Sequence, residues 1–240
     1  CALGLAATFA VGIEAYRMGP LPLERQEAAS VTVLDRNDTL LRAYTTDAGR
    51  WRLPIDADNV DPTYLKILFA FEDQRFYRHV GIDMRSVLRV ATEVLRYRKL
   101  ISGSSTLTMQ TARLLEGRHD RTGLGKLRQM VRAWQIEQRL SKDEILRLYL
   151  RLAPFGGNIE GIRAASLTYF GKEPRRLSIG EAALLVALPQ APEARRPERH
   201  ADRARRARDR VLDRMVAKGV IRAAEAEMAK AERVPTVRQD

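Results

Sequence analysis

"PTYLKILFAFEDQRFYRH", residues 62–79, opens on proline and carries apolar side chains at helical spacing. Proline suits the first turn of a helix, where an N–H would lack a partner anyway. The pattern predicts a helix from Pro62 that continues through the adjacent carboxylates Glu72 and Asp73. On such a helix Phe69, Glu72 and Phe76 fall at i, i+3 and i+7 and share one face. A carboxylate held between two rings is desolvated, which raises its pKa toward the range of a general acid or base. A second arrangement fits the same residues: Glu72 paired with Arg75 at i+3 on a solvated face, which is the commoner one. The segment alone leaves both open.

The helical pattern continues along the chain. "DMRSVLRVATEVLRYRKL" (83–100) puts Met84, Val87, Leu88, Ala91, Val94 and Leu95 on one face and Arg85, Arg89 and Arg96 on the other. That basic amphipathic helix suits a core edge or a membrane surface. "GKLRQMVRAWQIEQRL" (125–140) is another helix. "SKDE" (141–144) and "SIGE" (178–181) read as capping boxes, each opening an apolar helix. "APFGGN" (153–158) reads as a glycine-bearing turn between helices, and 198–233 as two charged helices broken at Lys218-Gly219. Upstream, β-branched residues around Asn37-Asp38 in 30–55 predict a hairpin, expected to be the only sheet. There is no internal repeat. The fold class is mainly α, one globular domain with a small N-terminal β appendage.

With 240 residues, 45% of them hydrophobic, the chain can bury a sizeable core. Its 42 Lys+Arg against 30 Asp+Glu give +12, which points to an anionic partner: nucleic acid, an anionic membrane or a phosphate-bearing substrate. The blander reading of part of that excess is an arginine-rich coding bias. The basic residues are dispersed among helices and no nucleic-acid motif occurs, so no nucleic-acid partner is expected. Cys1 alone excludes a disulfide framework, and the scattered His79, His119 and His200 argue against a zinc cluster. "CALGLAATFAVGI" is apolar up to Glu14, shorter than the roughly 20 residues of a membrane span. The chain does not begin with Met. Residues 1–15 are therefore expected to be the outer part of a truncated membrane anchor; the tail of a signal-peptide core or a lipidated Cys1 are the alternatives. The proline-bearing 16–30 reads as a stalk and 31–240 as the globular domain.

Two further stretches could carry chemistry. In "SGSSTLTMQTARLL" (102–115), Gly103 and three serines precede a helix starting near Thr106. Backbone N–H groups at such a helix start attract phosphate. Thr106, Gln110 and Arg113 fall at i, i+4 and i+7, a polar stripe ending in a cation that suits a diphosphate; an ordinary Ser-capped amphipathic helix would look similar. Lys126 opens the third helix after Gly123 and Gly125, and Glu137 extends its apolar stripe after Met130 and Trp134. For Glu137, structural pairing is the expectation rather than catalysis.

These stretches together resemble glycosyltransferase family 51, the peptidoglycan glycosyltransferases of class A penicillin-binding proteins. "EDQRFYRHVG" matches the family pattern E-D-x-x-F-x-x-H-x-G at every fixed position, and "GSSTLTMQ" resembles G-G-S-T-x-T-Q-Q with two departures. "KLRQMVRAWQIEQRLSKDEILRLYL", "APFGGNIEGIRAASLTYFGK" and "LSIGEAALLVALPQAP" look like the later motifs, in the family's order, over roughly 30–235. "STLTMQTARLL", "APFGGN" and "LPQAP" look most like the 1C type. The resemblance implies a lysozyme-like helical fold that polymerises lipid II into β-1,4-linked glycan, with inversion and release of undecaprenyl diphosphate. Glu72 would be the general base. Asp73 would support it or hold a divalent metal, magnesium or manganese. Lys126 and Arg113 would bind the donor diphosphate, Ser105, Thr106 and Gln110 would line the cleft, and Phe76 and His79 would shape it.

Three departures matter. Met109 and Ser104 replace a Gln and a Gly of the second motif, and Gln129 stands where most members carry a second glutamate. A Gln can donate to phosphate but carries no proton or charge, so more leaving-group stabilisation would fall to Lys126 and a metal. Glu137 as the missing carboxylate is a weaker reading. No S-x-x-K or K-T-G motif occurs, so a transpeptidase partner would lie outside this chain, in a missing part of it or in trans. The resemblance further implies a bacterial cytoplasmic membrane location, the catalytic domain on the periplasmic or outer face. Two alternatives use the same residues: a lysozyme-like hydrolase with Glu72 as acid, or a weakly active lipid II-binding scaffold.

Overall fold

The computed structural model describes residues 18–22, 29–37, 40–97, 105–117 and 122–239. The anchor expected at 1–15, most of the stalk, Asp38 and the Gly103-Ser104 loop lie outside the described residues. The fold is mainly helical. The elements in chain order are β1 (Thr32–Leu34), β2 (Leu40–Ala43), β3 (Trp51–Arg52), α1 (Pro62–Glu72), α2 (Met84–Tyr97), α3 (Leu107–Glu116), α4 (Gly123–Glu137), α5 (Lys142–Leu152), β4 (Pro154–Gly156), β5 (Ile159–Glu160), α6 (Ile162–Phe170), α7 (Ile179–Ala187), α8 (Pro197–Ala217) and α9 (Ala223–Ala231). The chain divides into two compact units, one made of 1–25 and 75–146, the other of 26–74 and 147–240.

In the first unit α3 packs on α4. Leu107, Met109, Ala112 and Leu115 are buried, as are Val131, Ala133 and Ile136. Gly81 makes its own close approach: φ is +78°, and an added Cβ would lie 2.8 Å from the Ala133 carbonyl carbon. Only glycine accepts both conditions. Arg132 is buried on α4, with Nε donating to Glu116 Oε1 at 2.6 Å and Nη1 to the Gly19 carbonyl at 2.8 Å. That ties residues 18–22 to the helix pair.

In the second unit α7 lies at the centre. Its sequence, IGEAALLVA, is apolar nearly all round, and such a helix belongs inside a core. Against it pack α1, α6, α8 and α9. Both predicted capping boxes form: Ser178 with Glu181 at α7, and Ser141 with Glu144 at α5. The break between the two charged helices, α8 and α9, follows Lys218 and Gly219 as expected.

Two expectations are corrected. The β1–β2 hairpin forms, with Thr32 opposite Ala43, but it is not the only sheet. A three-stranded sheet, order β3-β5-β4, joins β3 parallel to β5 and β4 antiparallel to β5. The APFGGN stretch is thus the strand-and-turn of a sheet rather than a plain interhelical turn. Gly156 and Gly157, with φ of 107° and 61°, fold the chain back on itself there. The second correction concerns α1, which stops at Glu72. Asp73 leaves the helix at φ −155°, ψ 76°, and Phe76 lies in a 3-10 turn over Phe76–Arg78. The predicted shared face of Phe69, Glu72 and Phe76 therefore does not form.

Candidate functional site

Glu72 is the last residue of α1, in the second unit, and is half-buried. A helix C-terminus carries a partial negative charge, so a carboxylate there needs nearby donors or cations. The unit supplies them. Gln190 Nε2 donates to Glu72 Oε1 at 2.8 Å, and Arg195 Nη1 donates to Gln190 Oε1 at 3.1 Å. Lys218 Nζ donates to the Ala70 carbonyl in the last turn of α1, and the Arg214 guanidinium lies 4.8 Å from the Phe71 ring centroid. The negative charge of Glu72 also adds to the effect of burial in pushing the Tyr64 phenol well above its ordinary pKa. Asp73, the C-cap, is buried with 6% of its surface exposed. In the first unit Arg75 Nη1 meets Asp83 Oδ1 at 2.9 Å. Asp83 also accepts from Ser86 Oγ at 2.7 Å and the Arg85 N–H at 3.2 Å, holding the start of α2.

The first unit holds the other predicted residues. Ser105 and Lys126 meet, with Nζ donating to Oγ. Burial lowers the Lys126 pKa, and the positive charge of Arg113 lowers it further. Arg113 is itself half-buried on α3, and its Nε is enclosed with no hydrogen-bond partner among the described residues. Two cations thus share a partly desolvated place and repel each other, an arrangement that an anion relieves. Gln110 is half-buried on α3, and Gln129 half-buried on α4, one turn beyond Lys126.

Thr106 sits differently from the expected polar stripe. It caps α3, accepting from the Met109 N–H at 3.1 Å, and donates its hydroxyl to the Gly81 carbonyl at 2.6 Å. It is 2% exposed, so its hydroxyl holds the helix start in place. Phe76 is buried at 1% exposure, its ring 4.6 Å from Lys142 Nζ and edge-on to Tyr77 and the buried His79. Glu137 is paired structurally, as expected: Oε1 accepts from Thr108 Oγ1 at 2.6 Å and Lys142 Nζ at 2.5 Å.

Sequence reasoning missed Gln190, Arg195 and Lys218. The signal for the first was the LPQAP stretch, in which two prolines hold one polar side chain in a fixed backbone. The signal for all three was a carboxylate near a helix end, which has to be answered from elsewhere in the chain.

The transglycosylase family model matches residues 37–216. Penicillin-binding protein 1C of Escherichia coli K12 is 47% identical over 218 residues, 90% of this chain and 28% of that protein. Penicillin-binding protein 1F of Bacillus subtilis 168 is 36% identical over 203 residues, 84% of this chain and 28% of that protein. The crystal structure of penicillin-binding protein 1A from Haemophilus influenzae aligns over 89% of this chain and 21% of its own, at 19% identity and a TM-score of 0.48. The chain spans 28% of the length of the first two of these relatives. A match across most of the chain and relatives this similar leave one conclusion: the chain belongs to the transglycosylase family.

Proposed function

We propose that this chain is a peptidoglycan glycosyltransferase that polymerises lipid II into β-1,4-linked glycan. Glu72 takes the proton from the acceptor sugar hydroxyl. That oxygen bonds to the donor anomeric carbon with inversion, and the bond to the lipid diphosphate breaks. Lys126 and Arg113 stabilise the departing diphosphate, Gln129 donates a hydrogen bond to it, and Ser105 and Gln110 contact the substrate. Thr106, Phe76 and His79 serve by holding the backbone and shape of the first unit. The observation carrying the reading is the repelling, half-buried pair of Lys126 and Arg113, with an enclosed guanidinium N–H that has no hydrogen-bond partner among the described residues. Glycan hydrolysis has no diphosphate to need it.

A divalent metal at Asp73 belongs to the same proposal. Among the described residues no three His, Cys, Asp or Glu side chains gather into a set that could hold an ion. Asp73 would supply a single carboxylate, and magnesium sites commonly take their remaining oxygens from phosphate and water. No step above depends on it.

Location at the outer face of the bacterial cytoplasmic membrane is likewise proposed. No helix among the described residues is long and apolar enough to cross a membrane. On α2, however, Met84 and Leu88 are 59% and 63% exposed, and Leu124 and Trp134 are exposed on α4. The apolar face of the basic helix α2 is thus open at Met84 and Leu88, which supports the membrane-surface reading over the core-edge one.

The test is lipid II polymerisation, read as product length, with and without divalent metal. Lengthening chains are expected from the wild type, and a loss of at least about 100-fold from Glu72→Gln, the scale of general base catalysis. Shortening of preformed glycan would establish the hydrolase instead. Binding of lipid II without turnover would establish the scaffold. Full activity in Glu72→Gln would remove the base assignment.

A further inference from the structure

The contact between Gln190 and Glu72 has a direction. A guanidinium offers donors only, so Arg195 selects the oxygen end of the Gln190 amide, at 3.1 Å. The amide NH2 must then point the other way, and it meets Glu72 Oε1 at 2.8 Å. An amide otherwise able to flip is held in the one orientation that donates to a carboxylate. Arg195 is itself anchored, its Nη1 on the Ala187 carbonyl at 2.6 Å and its backbone N–H on the Ala191 carbonyl at 3.0 Å. Burial and the positive charge of Arg210 both act against the Arg195 cation, and the Glu72 charge favours it. Pro189, buried in the 3-10 turn Leu188–Gln190, fixes the backbone from which the amide projects.

Gln190 is solvent-exposed. The end of α1 calls for a donor or cation near Glu72, but not for an amide locked in one orientation, and an exposed side chain-to-side chain hydrogen bond contributes little to folding. Its consequence lies at Glu72. With Oε1 held by the amide, the rotation of the carboxylate is set.

We propose that Gln190 and Arg195 are positioning residues for Glu72: Arg195 locks the Gln190 amide, and the amide sets the rotation of the catalytic carboxylate. The proposal rests on Glu72 acting as the base. Arg195 acts through Gln190, which makes the two substitutions non-additive, and the effect falls on turnover rather than on substrate affinity.

The experiment measures initial polymerisation rates against lipid II concentration for the whole chain. The variants are Gln190→Leu, Arg195→Met, the double variant and Glu72→Gln, with thermal melts alongside. Gln190→Leu is expected to lower kcat about tenfold, the worth of one hydrogen bond to a charged group, with KM held within about twofold. The double variant is expected to be no slower than Gln190→Leu alone. Multiplying losses in the double variant would overturn the relay. So would unchanged kcat in Gln190→Leu beside an inactive Glu72→Gln, and the base assignment would then stand alone. A drop in Tm with an unchanged rate per folded molecule would make the contact structural and also overturn it. An active Glu72→Gln would remove the base reading itself. Gln190→Leu, at an exposed position, keeps the test open if Arg195→Met fails to fold through loss of its Ala187 anchor.

Discussion

Replacing Glu137 by alanine separates a structural carboxylate from a catalytic one. By the resemblance, Gln129 would stand where most family members carry a second glutamate, and Glu137 is a later carboxylate on the same helix. Its side chain is 6% exposed and that of its partner Lys142 is 18% exposed, so the pair is largely out of water. Removing the carboxylate strands the Lys142 ammonium and leaves the Thr108 hydroxyl without its acceptor. Breaking one side of a buried pair costs about 3–5 kcal/mol. The Phe76 ring, 4.6 Å from Lys142 Nζ, faces the cation with or without Glu137, so its contribution cancels in the difference. The destabilisation is thus about 3–5 kcal/mol, a fall in Tm of about 6–20 °C for a chain of this size. Glu137→Gln keeps an acceptor for Thr108 and is expected to lose about half as much. Thermal unfolding followed by circular dichroism measures the first quantity, and lipid II polymerisation per folded molecule the second. That rate is expected to stay within about twofold, whereas loss of a general acid would cost at least about 100-fold. An unchanged Tm with a 100-fold loss of rate would refute the reasoning and make Glu137 the substitute carboxylate.

Three other outcomes follow from the same contacts. Gly81→Ala meets the Ala133 backbone at 2.8 Å with φ at +78°, and is expected to cost about 2–4 kcal/mol from left-handed strain plus overpacking; a melt within about 1 kcal/mol of wild type would show that the approach relaxes freely. Arg113→Gln removes a like charge and is expected to raise the Lys126 pKa toward the ordinary lysine range, read by NMR of labelled lysine Cε. Because the folded pKa is lowered, the destabilisation is complete below it and is relieved as pH climbs toward that range; an unmoved titration in Arg113→Gln would remove the proposed repulsion. Burial alone would raise the Glu198 pKa, but the hydrogen bond from Arg196 and the charges of Arg238 and Arg196 outweigh it and lower it. That stability is present above the ordinary glutamate range and is lost as pH falls through the lowered value. Glu198→Gln should therefore melt below wild type at neutral pH, the gap closing in acid, and a gap independent of pH would exclude the charge as its source.

What could be read from the chain divides by distance. The two capping boxes were legible because each is closed by a residue three positions away, Ser141 with Glu144 and Ser178 with Glu181. The phase of α1 was legible from its apolar period, and the helical class followed. The β3–β5 pairing was not: two-residue strands show no alternation, and Trp51 and Ile159 are far apart in the chain, with 75–146 between them. The stop of α1 at Glu72 was missed for a related reason. Asp73 is neither glycine nor proline, and the groups that receive the helix end come from Lys218 and Arg214, far along the chain. Yet the stop changes the chemistry. In mid-helix, Glu72 would have needed only an apolar sleeve to be a base. At the C-terminus it faces the negative end of the helix dipole, and a carboxylate there is unfavourable without donors and cations brought to it. Lys218 takes one carbonyl of the last turn, and Arg195, through Gln190, reaches the carboxylate itself. The polar groups around Glu72 are therefore what its position at the end of a helix demands, and the LPQAP stretch is where the chain meets that demand.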